Sequence, residues 1–265
     1  MRLQTSTWVE VQDYFKTHDA VVIPVGSTES HGSHLALGTD FLIPTALTDY
    51  VEEKCEVLIT PTIPFGVGDA HSCFPGTLTI GYDGLHMLIK KLTDQLYRMG
   101  ARKFIFLNGH GGNNPVFTNI GMDLSANGAL ATVVNWWSLA GDLNPAWKGG
   151  HGGGEETAAM LAIHPEGVKM QYYMPRDPQD LSDELTCRGM NTVAFRGVNM
   201  MVPRLFGQFS GSGWYGADDP KDATAAWGRE MLEITGAFIA DYINAFLAAP
   251  IRGNGREQSF YYSHD

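Results

Sequence analysis

Residues 21–40 read VVIPVGSTESHGSHLALGTD, and the opening run decides the fold. Val21, Val22, Ile23 and Val25 are apolar on both parities, the pattern of a strand buried on both faces of a parallel sheet. The run extends back to Ala20 and ends at Gly26, after which Glu29, His31, His34 and Asp40 follow in a polar loop. Ligands of open parallel sheets bind outside the carboxyl ends of the strands. A site is therefore expected on this loop.

Working outward, other stretches repeat the same grammar. Residues 103–107 (KFIFL) form a second buried strand that discharges into NGHGGNNP, bringing His110 to the same edge. Residues 57–60 and 131–136 read as further strands, with a short one around Leu78 and Ile80. Helices are expected between them. The first covers residues 7–16 after Ser6 as cap, and another starts near Pro44 and runs to about Glu53. A third is capped by Asp83, with Leu85, Leu88, Ile89, Leu92 and Leu96 on one face and Gly100 past its end. Pro115 opens a fourth, through Leu124. Alternating buried strands and amphipathic helices imply a layered α/β/α fold with a mostly parallel central sheet.

Beyond Trp137 the chain reads as loop up to HGGGEE, where residues 155–163 form a helix. Residues 165–215 show no clear period and are expected as loops and short strands covering the site. Asp222 is read as the cap of a long last helix, with Trp227, Met231, Ile234, Phe238, Tyr242 and Phe246 on one face. Residues 1–249 are assigned to one domain, and 250–265 to a polar, aromatic tail, disordered or packed on a neighbouring subunit.

Composition narrows the function. A net charge of −11 without any Lys/Arg cluster argues against nucleic acid. No run approaches the roughly 20 apolar residues of a membrane span, and the N-terminus lacks a signal-like apolar core. The three cysteines, Cys55, Cys73 and Cys187, are widely spaced, which fits a reducing cytoplasm and an unprocessed, soluble protein. A small-molecule partner is the remaining expectation.

The chemistry follows from which side chains can converge. Glu29 and His31 are two apart and project to one side in extended backbone. With Asp40, His110 and Glu156 they make three carboxylates and two imidazoles, a set suited to paired divalent metals. Two such ions carry four positive charges, which three carboxylates and one hydroxide balance. His151, on the same glycine-rich loop as Glu156, is placed to act as general acid or base. Each motif has a blander reading. His31 and His34 form an ordinary surface HxxH, NGHGG is a helix-terminal anion site, Glu155 and Glu156 are first-turn acids, and Trp137 and Trp147 are core aromatics. His18, His86, His164 and His264 are given no catalytic role.

The order VGSTESHGSHLALGTD, FPGT, NGHGGN and HGGGEET, with GWYGADDPKDATAAWGREML near the end, resembles the creatininase (creatinine amidohydrolase) family. The resemblance covers residues 20–240. It implies a binuclear site using zinc, manganese or iron, and a homo-oligomer, often a hexamer. It places Glu29, His31, Asp40 and His110 on metal ligands, with Asp40 bridging and His34 outside the set. Glu156 falls on the acid that completes the site and His151 on the proton-transfer histidine, these two being the catalytic candidates. His71, Gly111, Trp137 and Trp147 are candidates for the substrate side. Creatininase itself resembles NGHYEN at the third motif, with its Glu a ligand. Gly112 stands there in this chain, leaving the second ion to Glu156, to weak binding or to absence.

The family also includes formamidopyrimidine deformylases, a peptidase of redox-cofactor maturation and a hydrolase opening a dehydrogenated inositol. The resemblance implies metal-activated water attacking a carbonyl of a small, polar, cyclic compound, with C–N amide hydrolysis favoured. The alternatives are C–C hydrolysis of a 3-dehydro-scyllo-inosose type ketone and a non-enzymatic sugar- or anion-binding module.

Overall fold

The computed structural model describes residues 1–252. A four-stranded parallel sheet, β1 (Ala20–Val25), β2 (Leu58–Ile59), β3 (Lys103–Asn108) and β4 (Leu130–Asn135), lies in the order β2-β1-β3-β4. Every residue of β1 and β3 is buried, as the apolar run of β1 and the apolar centre of β3, Phe104 to Leu107, demand. One face packs Val22, Ile105 and Leu107 against α2 (Thr39–Lys54), α5 (Trp136–Leu143), α6 (Gly154–Ile163) and α7 (Ala225–Ala248). The other packs Val21, Ile23, Phe104 and Phe106 against α1 (Trp8–Tyr14), α3 (Gly81–Met99) and α4 (Asn114–Ala126). The result is the expected three-layer α/β/α arrangement.

Register aligns the strand ends. Val25 pairs with Asn108, and Asn108 with Asn135, so the loops carrying Glu29 and His110 and the start of α5 carrying Trp137 leave the sheet at one level. Gly26 and Gly109 follow β1 and β3 directly, and a Cβ at either would lie 2.3 Å or 1.8 Å from the Asp40 carbonyl oxygen. That contact brings the first turn of α2, and Asp40 with it, down onto the strand ends. Pro44 has no N–H to offer Asp40 O four residues back, which removes this carbonyl's usual α-helical donor.

Several local expectations change. α2 begins at Thr39, so Pro44 lies inside it and Asp40 is helical. Thr7 rather than Ser6 caps α1, in a reciprocal capping box with Glu10. α3 starts at Gly81 with Asp83 in its first turn and no side-chain cap. Residues 78–80 form no strand, because Leu78 N donates to Thr28 O and Ile80 N to Gly66 O, two loop-to-loop bonds without a continuous ladder. The segment after Trp137 is helical, since Trp136 and Ala140 bury one face of α5. Thr224, not Asp222, caps α7 by accepting from Trp227 N. The buried stripe of α7 runs through Met231, Leu232, Thr235, Ile239 and Ile243, while Ile234, Phe238 and Tyr242 are exposed. The deciding neighbours are α6 and α2, which pack on that stripe.

Among the described residues only α7 is long and apolar enough to cross a membrane, and it is packed on those two helices. The 165–215 region forms an antiparallel sheet of β5 (Leu185–Gly189), β6 (Thr192–Phe195) and β7 (Val198–Met201), joined by loops. The tail beyond residue 252 lies outside the described residues.

Candidate metal centre

Glu29, His31 and Asp40 from the first loop and α2, His110 from the β3 loop, and Glu156 from the first turn of α6 meet over the strand ends. Ligand atoms of Glu29, Asp40 and His110 lie within 4.8 Å of one another, as do those of His31, Asp40 and Glu156. Asp40 belongs to both sets. Its Oδ1 is 2.8 Å from His31 Nε2 and its Oδ2 is 3.0 Å from His110 Nδ1, so one carboxylate faces two imidazoles with different oxygens.

Each imidazole is anchored by its far nitrogen. His31 Nδ1 lies 3.0 Å from Glu29 O, and His110 Nε2 lies 2.9 Å from Val67 O. With one N–H spent on a backbone carbonyl, the opposite nitrogen faces the carboxylates, carrying a proton toward them in the metal-free chain and able to offer its lone pair once an ion takes that proton's place, the orientation of a metal-ligating histidine. The carboxylates show the complementary sign. Glu29 Oε1 and Asp40 Oδ2 are fully buried and accept no hydrogen bond, although His71 Nε2 and His110 Nδ1 stand 3.3 and 3.2 Å from Glu29 Oε1. Buried oxygens at such distances without aligned donors are expensive unless a cation lies among them. The donor set fits divalent ions.

Electrostatics follow the same crowding. Burial pushes Glu29 up to about 7 against the pull of His110, and Glu156 up to about 7 against that of His31. Burial opposes charge on His31 and His110, yet the facing carboxylates raise them to about 10 and about 9. Asp40 is held well below the usual range: burial works against this, but His31 and His110 outweigh it.

His151 sits over this cluster. Its Nε2 donates to Ser30 O at 2.7 Å, its Nδ1 lies 3.9 Å from Glu29 Oε1, and its ring packs 4.5 Å from that of His31. Burial and the neighbouring His71 push it well below its ordinary pKa, so it is neutral with Nδ1 bare. It also falls within a third convergent set, with Glu29 and His31.

A cavity of about 470 Å³ opens above, with Gly111, Trp137, His71 and His151 in its wall. His71 is driven down to about 3 by burial and by His110, and its ring is 4.2 Å from that of His151. Trp147, expected on the substrate side, is instead in the apolar core with Trp136, outside this wall. His34 is buried against Thr157 and joins none of the convergent sets. His18, His86 and His164 contact Tyr14, Asn119 and Glu166 away from the cavity, and His264 is outside the described residues. Sequence reasoning missed Met190, Asn191, Phe206 and Tyr215, which line the cavity from the 165–215 region, where no periodicity marks them.

Gly112 leaves no space for a side chain, an acid included. A Cβ there would lie 2.3 Å from Val67 O and 2.5 Å from His110 Nε2. Glu156 reaches the His31 side from α6 instead, 3.8 Å from His31 Nε2, with its Oε2 accepting from Gly152 N.

The family model described as creatinine amidohydrolase matches residues 4–243. Creatinine amidohydrolase of Pseudomonas putida is 30% identical over 198 residues, covering 65% of this chain and 75% of that protein. The mycofactocin precursor peptide peptidase of Mycobacterium tuberculosis is 32% identical over 225 residues, covering 81% and 80%. 3-Dehydro-scyllo-inosose hydrolase of Thermotoga maritima is 26% identical over 192 residues, covering 68% and 62%. In fold, the chain is similar to creatininase structures described as Zn–Zn and as Mn, with TM-scores of 0.72 and 0.73. These are 23% and 24% identical, and each comparison covers 94% of this chain and 98% or 99% of the other.

Proposed function

The chain belongs to the creatininase family, and from that premise we propose a metal-dependent hydrolase with two divalent ions, zinc or manganese, with iron also compatible with the donors. Glu29, His110 and Asp40 would hold one ion and His31, Glu156 and Asp40 the other, with Asp40 common to both sets. The observation that carries this reading is the pair of anchored imidazoles whose free nitrogens face the two oxygens of Asp40. Ions bound there would lower the pKa of a water toward roughly 7 and polarise a substrate carbonyl.

The chain's own residues do the rest. His151, neutral and fixed through Ser30 O, takes the proton of the attacking water at Nδ1 and returns it to the leaving nitrogen. Gly111, Trp137 and His71 bound the space for substrate. The cavity suits a small, polar, cyclic compound cleaved at a C–N amide bond. By the same family argument the protein is a homo-oligomer, a hexamer, which the exposed apolar residues Ile234, Phe238 and Tyr242 of α7 support.

The absence of space beside Gly112 favours a second reading, hydrolytic C–C ring opening of a cyclic polyol ketone, because it separates this site from that of creatininase. Metal-loaded protein assayed against creatinine, formamides and inosose-type ketones decides between them. Turnover of an amide supports the first reading. Ring opening of the ketone with no amide turned over replaces it with the second.

A further inference from the structure

The loop NGHGGN sends His110 to the metal cluster, and two of its asparagines, Asn108 and Asn113, are fully buried beside it. Asn113 stands immediately before α4, where an asparagine ordinarily accepts from a first-turn N–H. It makes no such cap bond. Its Oδ1 accepts instead from Val67 N at 3.0 Å, and its Nδ2 donates to Gly26 O at 3.1 Å and to Asn108 Oδ1 at 3.2 Å. Both Val67 and Asn108 hold His110. Val67 O faces the far ring nitrogen, Nε2, at 2.9 Å. Asn108 holds the backbone of His110 from both sides, its Oδ1 accepting from His110 N at 3.0 Å and its Nδ2 donating to His110 O at 2.7 Å.

His31 has no comparable support, because its anchor, Glu29 O, lies two residues away in its own loop. The two imidazoles that face Asp40 are thus held by unlike means. Val67 is brought to His110 from a distant loop, and a Cβ on the preceding Gly66 would lie 2.5 Å from both Asn113 Oδ1 and Gly26 O, so only glycine admits this approach. Thr79 Oγ1 steadies the other flank by accepting from Gly68 N at 3.1 Å. Asn113 alone reaches both Val67 and Asn108, and so ties the ring anchor of His110 to its backbone anchor. A ligating histidine depends on the hydrogen bond at its second nitrogen, and losing the support for that bond costs about 10- to 100-fold in metal affinity.

We propose that Asn113 is a positioning residue that fixes His110, and with it the ion on the Glu29–His110 side, while the ion on the His31 side is independent of it. It rests on the reading of the cluster as a two-ion centre. The test is nitrogen-15 NMR of the histidine side chains in metal-free and zinc-loaded protein, wild type and Asn113→Ala, with the affinity of each zinc measured by chelator competition. In the zinc-loaded wild type, His110 Nδ1 and His31 Nε2 should both carry the shift of a zinc-bound nitrogen. Asn113→Ala should weaken the zinc at His110 about 10- to 100-fold and leave the zinc at His31 unchanged. In the metal-free protein the Nε2 proton of His110 should exchange with solvent faster in the variant than in wild type, and the Nδ1 proton of His31 at the same rate in both. A role in the fold alone would disturb both histidines or neither, and either result overturns the proposal. Should Asn113→Ala fail to fold by circular dichroism, Asn113→Leu, which fills the space without polar atoms, carries the same comparison; failure of both to fold makes Asn113 a residue of the fold and also overturns the proposal. A wild type that holds no zinc ends the two-ion reading, and the exchange rates of the metal-free protein then decide the role of Asn113. A wild type that holds two ions, with Asn113→Ala indistinguishable from it, keeps that reading and removes Asn113 from it.

Discussion

On the proposed reading Asp40 is the residue on which both ion positions would depend, since each of its oxygens faces a different imidazole. Asp40→Ala is therefore expected to abolish metal retention and turnover together, measured as metal content after gel filtration and as hydrolysis rate. His151 has a separable task. His151→Ala should retain its metal and lose rate by about 100-fold or more, the usual scale for a general acid–base group. Full activity in that variant would remove His151 from the proton path, and loss of metal would make it a ligand. Gly112 yields a stability prediction, because even a methyl group there meets Val67 O. Gly112→Ala should lower unfolding free energy by about 1–3 kcal/mol in a denaturant titration. Glu29, His31 and His110 were legible as candidate ligands because they sit in the loops that follow buried strands, and Asp40 because it closes the polar run after the first of them. Glu155 read only as a helix-start acid, for nothing in HGGGEE tells which of two adjacent carboxyls has a partner.

At the scale of elements, strands were read more securely than helix starts. Residues such as Val21 to Val25 must be apolar on both sides whatever surrounds them, whereas a cap depends on one hydrogen bond. The α7 cap tests this: Thr224→Ala should cost about 1 kcal/mol of stability, while Asp222→Ala should leave it within about 0.5 kcal/mol. The misjudged face of α7 has a similar origin. Trp227, Ile234 and Tyr242 satisfy helical spacing, but the stripe with Gly228 and Gly236 allows closer approach: a Cβ at these positions would lie 1.8 Å from Ala158 O and 2.4 Å from the Tyr50 ring. Small residues, not the largest apolar ones, mark the packed side. Residues 165–215 were illegible for another reason, since short strands and loops take their positions from the body they cover.

For the whole molecule, the site stores an electrostatic conflict that pH should expose. His31 and His110 hold protons up to about 10 and about 9 in the folded chain, well above the roughly 6.5 of an unfolded histidine. Groups with raised folded pKa stabilise fully below the unfolded value and lose that contribution as pH rises through the folded one. The metal-free protein is accordingly expected to fall in Tm between about pH 6.5 and about pH 10, with Glu29 and Glu156 adding to the loss near its lower end. Divalent metal, by taking the place of those protons, should flatten that slope and raise Tm through preferential binding to the folded state. A slope that rises with pH in the metal-free protein would contradict this account of the cluster. The most direct test of the central claim is the metal content of protein reconstituted with zinc or manganese and then dialysed, measured by mass spectrometry. About two tightly held ions per chain, falling to fewer than about one in Asp40→Ala, is the result expected of a shared carboxylate centre. Fewer than about one ion in the wild type, with no hydrolysis on adding metal, would contradict it.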